Sequence, residues 1–249
     1  MESDKKIVLI TGSSRGIGRG IAIDMAKAGY IPIITFNNNQ DAALETLNEV
    51  ECFSPDSKIY KLDVTCRKNI KEVLNKIIFD FKKIDILINN AGINQRVLFQ
   101  EITDDDWDTM FLTNLKGPFM LTQECFSIMK NGSRVINISS VAGQYHGPNT
   151  VHYAVSKAAL NSLTKSTARY GAPMGIYVNA IAPGLILTEQ NKDEFESGTA
   201  DKIINETTLL KRPGQIADVS SACLFLCDPM QNYMTGQVIA LSGGAILDN

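Results

Sequence analysis

Short apolar runs recur along the chain, separated by longer stretches in which apolar positions return every three or four residues. The runs are Ile7–Ile10, Ile31–Phe36, Lys58–Leu62, Ile84–Ile88, Arg134–Ile138, Ile176–Ile181 and Gln237–Leu241. Most are rich in Ile and Val and do not alternate with polar residues, the pattern of parallel strands covered on both faces. Between the first two runs, Ile17, Ile21, Met25 and Ala28 keep helical spacing, and Gly29 follows where a helix C-terminus favours glycine. Strands alternating with helical segments predict an α/β fold: a Rossmann-type, doubly wound, seven-stranded parallel sheet with helices on both faces. No internal repeat, low-complexity tract or Pro/Gly-rich linker divides the chain, so residues 1–249 read as a single nucleotide-binding domain. The least regular part is about 185–214, between two strands. A structureless loop of that length is uncommon, so short helices are expected there, forming a lid over a site.

Composition narrows the class. Of 249 residues, 44% are hydrophobic and 20% charged, and the net charge is −3. That supplies a full core and argues against a nucleic-acid binder, which needs a basic stripe. No apolar run reaches the roughly 18 residues of a membrane span, and Met1–Lys6 lacks a signal-peptide pattern. The cysteines (Cys52, Cys66, Cys125, Cys223, Cys227) are odd in number and have no CxxC spacing, so they read as reduced, mostly buried residues of a cytoplasmic protein. His146 and His152 form no cluster with Cys or Asp at ligand spacing, and no metal site is expected.

The first apolar run leads into Thr11-Gly12-Ser13-Ser14-Arg15-Gly16-Ile17-Gly18. Glycines in such a turn permit close approach of a pyrophosphate, and the following helix N-terminus offers unpaired N–H groups and partial positive charge. Glycines alone also serve a plain strand-to-helix turn; their position after an Ile/Val strand and before an amphipathic helix makes a nucleotide site the better reading. An acid about 20 positions on would bind a ribose 2′-hydroxyl. The second run instead ends Thr35-Phe36-Asn37-Asn38-Asn39, and the first acid is Asp41. Without that carboxylate to repel a 2′-phosphate, and with Arg15 offering a fork of donors, the preferred cofactor is NADP(H). The blander reading makes Arg15 a solvated helix-start residue and the Asn run a turn.

Tyr153 and Lys157 stand four residues apart, on one face of a helix. A tyrosine ordinarily titrates near 10, and a neighbouring ammonium favours its phenolate, which makes it a usable proton donor and acceptor. Such a pair is common by chance. It gains meaning from Ile138-Ser139-Ser140 upstream, at the end of an apolar strand, where open α/β sheets build their sites.

At these residues the sequence resembles the short-chain dehydrogenase/reductase family over nearly its whole length. Thr11–Gly18 matches the family's cofactor loop, Asn89-Asn90-Ala91-Gly92 its loop after the fourth strand, and Pro183-Gly184 its loop after the sixth. Asn114, Ser140, Tyr153 and Lys157 match its catalytic tetrad in order and spacing. The resemblance implies that Tyr153 protonates a substrate carbonyl while a nicotinamide delivers hydride. Ser140 binds the same oxygen, Lys157 lowers the Tyr153 pKa and holds the nicotinamide ribose, and Asn114 anchors a proton-relay water. It also implies that Gly12, Ser13, Ser14, Arg15, Gly16, Ile17 and Gly18 line the phosphates, and that Asp63 and Val64 contact adenine. Asn37 is placed at the adenosine-phosphate end and Asn90 at the ribose, with Gly92 in the same cofactor-binding loop. Ile186 and Thr188 fall beside the carboxamide, after the cofactor-binding loop Pro183-Gly184. Asn114 also admits a local-bonding reading; for Ser139 and His152 packing is preferred.

Within the family, Thr11–Gly18, Asn89–Ile93 and the tail Thr235–Gly244 look most like bacterial 3-oxoacyl-[acyl-carrier-protein] reductases. That resemblance implies reduction of a 3-oxoacyl thioester, acyl carrier protein as a partner, and a homotetramer. Such reductases meet the acidic carrier with arginines before the fifth and sixth strands. Here those stretches read Lys130-Asn131-Gly132-Ser133-Arg134, which keeps some basic character, and Ala172-Pro173-Met174-Gly175, which keeps none. The alternative is another dehydrogenase or ketoreductase of the family, acting on a sugar, polyol, steroid or secondary-metabolite carbonyl. An enoyl reductase is disfavoured because its pattern spaces Tyr and Lys more widely. A regulatory binder without turnover has no chemical need of Tyr153 with Lys157.

Overall fold

The computed structural model describes residues 5–145 and 150–247; His146 and the first four residues lie outside the described residues. Strands β1 (Ile7–Ile10), β2 (Ile31–Phe36), β3 (Lys58–Lys61), β4 (Ile86–Asn89), β5 (Arg134–Ile138), β6 (Tyr177–Pro183) and β7 (Val238–Leu241) form one parallel sheet in the order β3-β2-β1-β4-β5-β6-β7. The doubly wound, seven-stranded arrangement expected from the patterning is therefore the observed one. The chain reverses its winding direction between β1 and β4, the switch point at which such sheets bind ligands.

The period of two along each strand sends neighbouring residues to opposite faces, and both faces are buried. On one face Val8, Ile10, Ile34, Ile88 and Ile136 pack with Ile21 and Met25 of α1 (Gly16–Lys27) and with Val219 and Cys223 of α9 (Ile216–Cys227). On the other, Ile7, Leu9, Ile33, Leu87 and Val135 pack with Ile70, Val73 and Ile77 of α3 (Arg67–Phe81) and with Leu121 and Cys125 of α5 (Gly117–Phe126). The central strands therefore read as unbroken apolar runs. The edge strands β3 and β7 are only partly buried.

Three apolar runs match their strands residue for residue. Two of the other four begin too early for a common reason. Ile84 and Ile176 are buried core residues that precede the first paired residue, so hydrophobicity extends beyond the ladder. In α1 the buried face is Gly18, Ile21, Ala22, Met25 and Ala26. Ala28 is instead the exposed C-cap, followed by Gly29 in the left-handed region (φ 89°). The region about 185–214 contains a 3₁₀ turn (Glu189–Asn191), α7 (Lys192–Glu196) and α8 (Thr199–Thr207). Helices α2 (Gln40–Glu51), α4 (Asp104–Phe111) and α6 (Val151–Gly171) complete the flanking layers.

Of the cysteines, Cys125, Cys223 and Cys227 are buried and Cys52 and Cys66 exposed, all as free thiols. Among the described residues no helix is long and apolar enough to cross a membrane, and no group of His, Cys, Asp and Glu is placed to hold a metal ion.

The sequence places Arg134 among surface charges facing an acidic partner; the structure buries it. Its guanidinium donates to the carbonyls of Asp228 (2.9 Å) and Gln231 (3.0 Å), beyond the end of α9, and lies 4.7 Å from the Tyr177 ring centroid. A cation suits the negative end of a helix. Arg134→Met is expected to lower the unfolding free energy by about 3 kcal/mol, measured by urea denaturation, because two carbonyls lose charged donors.

Candidate active site

The site grows from the C-terminal ends of β1, β4, β5 and β6. Gly12 and Gly16 adopt left-handed backbone (φ 62° and 55°), which glycine enters at little steric cost. A side chain at Gly18 would meet the Gly12 carbonyl and the Asn90 amide nitrogen at 2.5 Å. Asn90 stitches this turn to the one after β4: its Nδ2 donates to the Thr11 (2.9 Å) and Gly12 (3.0 Å) carbonyls. In return the Thr11 hydroxyl accepts from the Asn90 and Ala91 amides, both at 2.9 Å. The result is a backbone cradle at the N-terminus of α1, with no side chain capping that helix. Its shape and its partial positive charge suit a dinucleotide pyrophosphate.

Not every loop residue faces that cradle. Ser13 is fully buried; its hydroxyl donates to the Ile10 carbonyl (2.9 Å) and accepts from the Thr35 amide (2.9 Å), while its own amide donates to the Thr35 carbonyl (2.9 Å). The structure thus places Ser13 beneath the loop and leaves Ser14, Arg15 and Gly16 with partial or full exposure, while Ile17 packs against the core. Arg15 is exposed, as is Asn37 at the end of β2. Asn39 caps α2 by accepting from the Ala42 amide (3.0 Å), a role the sequence reading missed although Asn is a favoured cap. Asp41 lies inside the first turn of α2 rather than at the strand end. Asp63 is tied into its own turn, its Oδ1 accepting from the Thr65 amide (2.9 Å) and hydroxyl (2.6 Å); Val64 packs under Gly117.

Helix α6 carries Tyr153 and Lys157 one turn apart. Ser140, just past β5, caps the 3₁₀ turn Val141–Gly143 by accepting from the Ala142 amide (3.1 Å), and its hydroxyl lies beside the Tyr153 phenol. The Lys157 ammonium is buried, donates to the Ile138 carbonyl (2.9 Å) and lies 5.7 Å from the Tyr153 ring centroid. Asn114 is fully buried in a π-helical turn (Leu112–Lys116) between α4 and α5. Its Oδ1 accepts from the Ile93 amide (2.8 Å) and its Nδ2 donates to the Ile93 carbonyl (2.9 Å) and lies 3.2 Å from the Ser156 hydroxyl. Gly92 joins the groups: a side chain there would come within 3.1 Å of Asn114 Oδ1 and 3.6 Å of Lys157 Nζ. Asn114 and Lys157 thus meet at Gly92, and Lys157 in turn stands beside Tyr153. The π turn escaped the sequence reading; its signal was Pro118, which has no N–H to donate to a carbonyl four residues back.

Burial raises the Tyr153 pKa above its ordinary value, and the neighbouring Ser140 hydroxyl partly opposes this. The Lys157 ammonium donates to the Ile138 carbonyl. Burial pushes Lys157 itself down to about 8.

Ser139 is held to α6, donating to Asn161 Oδ1 (2.6 Å) and the Lys157 carbonyl (3.3 Å). His152 is fully buried, within electrostatic reach of Asp106 on α4. Pro183 ends β6, and the Gly184 amide donates to the Leu241 carbonyl (2.9 Å). The Ile186 side chain is buried in the core. The adjoining backbone is zipped to the far end of the 185–214 segment by Leu187 N–H to Gly214 O (2.9 Å) and Gly214 N–H to Leu185 O (3.0 Å). Thr188 donates through its amide (2.8 Å) and hydroxyl (3.1 Å) to Asn191 Oδ1. A cavity of about 100 Å³ beneath this segment is lined by Gly184, Ile186, Thr208, Leu210 and Arg212, with neither Ser140 nor Tyr153 in its wall.

A doubly wound sheet with a glycine cradle at its switch point, and a Ser–Tyr pair beside a buried lysine, defines a nicotinamide-dependent oxidoreductase. A family model described as enoyl-(acyl carrier protein) reductase matches residues 12–245. The chain is 35% identical over 254 residues to the 3-oxoacyl-[acyl-carrier-protein] reductase FabG of Thermotoga maritima, covering 99% of this chain and 100% of that protein. It is 34% identical over 245 residues to the acetoacetyl-CoA reductase of Shinella zoogloeoides, covering 96% and 98%. A solved structure described as ElxO with NADP bound is 32% identical and superimposes with a TM-score of 0.89, covering 97% of this chain and 98% of that one. The chain belongs to the short-chain dehydrogenase/reductase family.

The depressed pKa of Lys157 has a measurable consequence. Between about 8 and the ordinary lysine value near 10.4 the unfolded state holds more protons at this residue than the folded state, so its contribution to stability rises with pH across that window. Subtracting the stability–pH curve of Lys157→Met from that of wild type is expected to leave this rise. A flat difference would show that the ammonium is not desolvated.

Proposed function

We propose that this protein is an NADP(H)-dependent ketoreductase, and that its substrate is a 3-oxoacyl thioester. The observation that carries the chemistry is the juxtaposition of Ser140, Tyr153 and the buried Lys157, whose ammonium lies 5.7 Å from the Tyr153 ring centroid. When bound, the nicotinamide cofactor supplies hydride to the carbonyl carbon. Tyr153, kept protonated near neutral pH by burial, donates its phenolic proton to the carbonyl oxygen. Ser140 donates a hydrogen bond to the same oxygen and stabilises its developing charge. Lys157, with an ammonium poised near 8, returns a proton towards the phenol and holds the cofactor ribose. Asn114 fixes Ile93 and anchors the water that supplies Lys157.

Support for NADP(H) is the exposed Arg15 beside the cradle and the absence of a carboxylate at the end of β2, where Asn37 and Asn38 stand exposed. The NADP-bound structural neighbour points the same way. We read the 185–214 segment as a lid over the substrate within a single domain, and exposed Trp107, Phe119 and Val155 as part of a homotetramer's contacts.

Support for a thioester comes from relatives named for 3-oxoacyl and acetoacetyl substrates. Recognition of acyl carrier protein is less well furnished. The Gly132 amide donates to the Gly175 carbonyl (2.9 Å), joining the stretches before β5 and β6 into one surface. On that surface Lys130 and Met174 are exposed while Arg134 is buried. Weak positive charge slows encounter with an acidic carrier, which favours the second reading: a ketoreductase of the same family acting on another carbonyl. An enoyl substrate fits poorly, because Tyr153 and Lys157 stand one helical turn apart.

Tyr153→Phe is expected to lower ketone reduction at least a thousandfold while cofactor binding, followed by nicotinamide fluorescence, stays within about threefold; retention of most of the rate would remove Tyr153 as the acid. NADPH is expected to exceed NADH in kcat/KM by at least tenfold. Acetoacetyl-CoA and acetoacetyl carrier protein should be assayed beside a panel of free ketones, sugars and steroids. Failure of both thioesters in the presence of another active carbonyl selects the second reading.

A further inference from the structure

Ser140 reaches Tyr153 only because the turn that begins with it lies directly on the helix that carries Tyr153 and Lys157. Gly143 closes that turn, its amide donating to the Ser140 carbonyl (3.0 Å). An added Cβ at Gly143 would stand 2.8 Å from both the Ala158 nitrogen and the Lys157 carbonyl carbon, and 3.0 Å from the Lys157 oxygen. All of these are backbone atoms in the middle of α6, which cannot swing aside as a flexible side chain can. The same Lys157 carbonyl accepts from the Ser139 hydroxyl (3.3 Å), which also donates to Asn161 on the next turn of α6 (2.6 Å). The turn therefore grips α6 at both ends, with Ser140 in between. The Lys157 side chain closes the loop from the helix side by donating to the Ile138 carbonyl (2.9 Å).

We infer that Gly143 is a positioning residue for the reaction: by admitting the Ser139–Gly143 turn into backbone contact with Lys157–Ala158, it sets the approach of Ser140 to Tyr153. A methyl group at this position lifts the turn off the helix. Ser140 rides with the turn and Tyr153 stays with the helix, so the approach of one to the other is what is lost. The inference rests on the ketoreductase reading for its rate measurements, though not for its geometry.

The test is a double-mutant cycle, read with whichever carbonyl the wild-type protein reduces. Gly143→Ala is expected to lower kcat at least tenfold, with KM for substrate and cofactor within about threefold. In a Ser140→Ala background the same substitution should change kcat by less than twofold, because a residue acting only through Ser140 has nothing left to disturb. Ser139→Ala, which loosens the turn without adding bulk, should lower kcat less than Gly143→Ala and be equally silent over Ser140→Ala; it carries the test if Gly143→Ala does not fold. A wild-type-like kcat in both variants, or a loss that repeats in full over Ser140→Ala, overturns the inference. If the wild-type protein reduces no carbonyl, the ketoreductase reading fails by itself. The coupling is then read from the ultraviolet titration of Tyr153, taken as wild type minus Tyr153→Phe. Gly143→Ala and Ser140→Ala should move that titration to higher pH alike, and an unmoved titration in Gly143→Ala overturns the inference.

Discussion

Where β1, β2, β4 and β5 stop at the C-terminal edge of the sheet, their last backbone groups have no further ladder to join, and buried groups of this kind must find partners. Side chains supply them. The Ile10 carbonyl accepts from the hydroxyls of Ser13 (2.9 Å) and Thr35 (3.0 Å). The Thr11 and Gly12 carbonyls accept from Asn90, and the Ile138 carbonyl accepts from Lys157 (2.9 Å). One requirement of the fold, closing off a parallel edge, thus draws hydroxyls, amides and an ammonium to the place where the chain reverses its winding. The cradle and the candidate catalytic residues stand on this closure.

The closure also explains the protonation states. Lys157 satisfies a buried carbonyl, so its ammonium is desolvated and its pKa falls to about 8. Tyr153 sits one turn away on the same helix with its phenol against Ser140, and burial keeps it protonated. Both shifts have the same cause, and both suit a step in which a phenol gives up a proton and a nearby ammonium replaces it. The lysine is at once a member of this buried polar edge and a neighbour of the phenol.

Much of this was legible in the sequence, and the limits are physical. Runs such as Ile7–Ile10 and Ile31–Phe36 announce central parallel strands because both of their faces are buried. Their neighbours Ile84 and Ile176 look like strand residues only because burial outlasts pairing. Gly12, Gly18, Asn90, Ser140, Tyr153 and Lys157 form recognisable motifs, and the fold gathers them where the spacing suggested. The sequence did not disclose which way side chains turn within a motif. Ser13 looks like a cradle residue and is a brace beneath it; Arg134 looks like a surface charge and is a buried tie to the carbonyls beyond α9. Both are decided by tertiary partners, Thr35 for one and the Asp228 and Gln231 carbonyls for the other, that lie far away along the chain.

The same division separates the chemistry from the substrate. Residues that close the sheet edge are held by several bonds at once. The segments after β4 and β6, residues 93–101 and 185–214, are less fully tied. They carry exposed Leu98, Phe99, Ile203 and Leu209, which no core contact requires. Before β5 and β6, an arginine can be buried and a methionine exposed without cost to the sheet. The carbonyl compound is therefore chosen by the parts of the molecule that the fold constrains least, and the proton and hydride chemistry by those it constrains most.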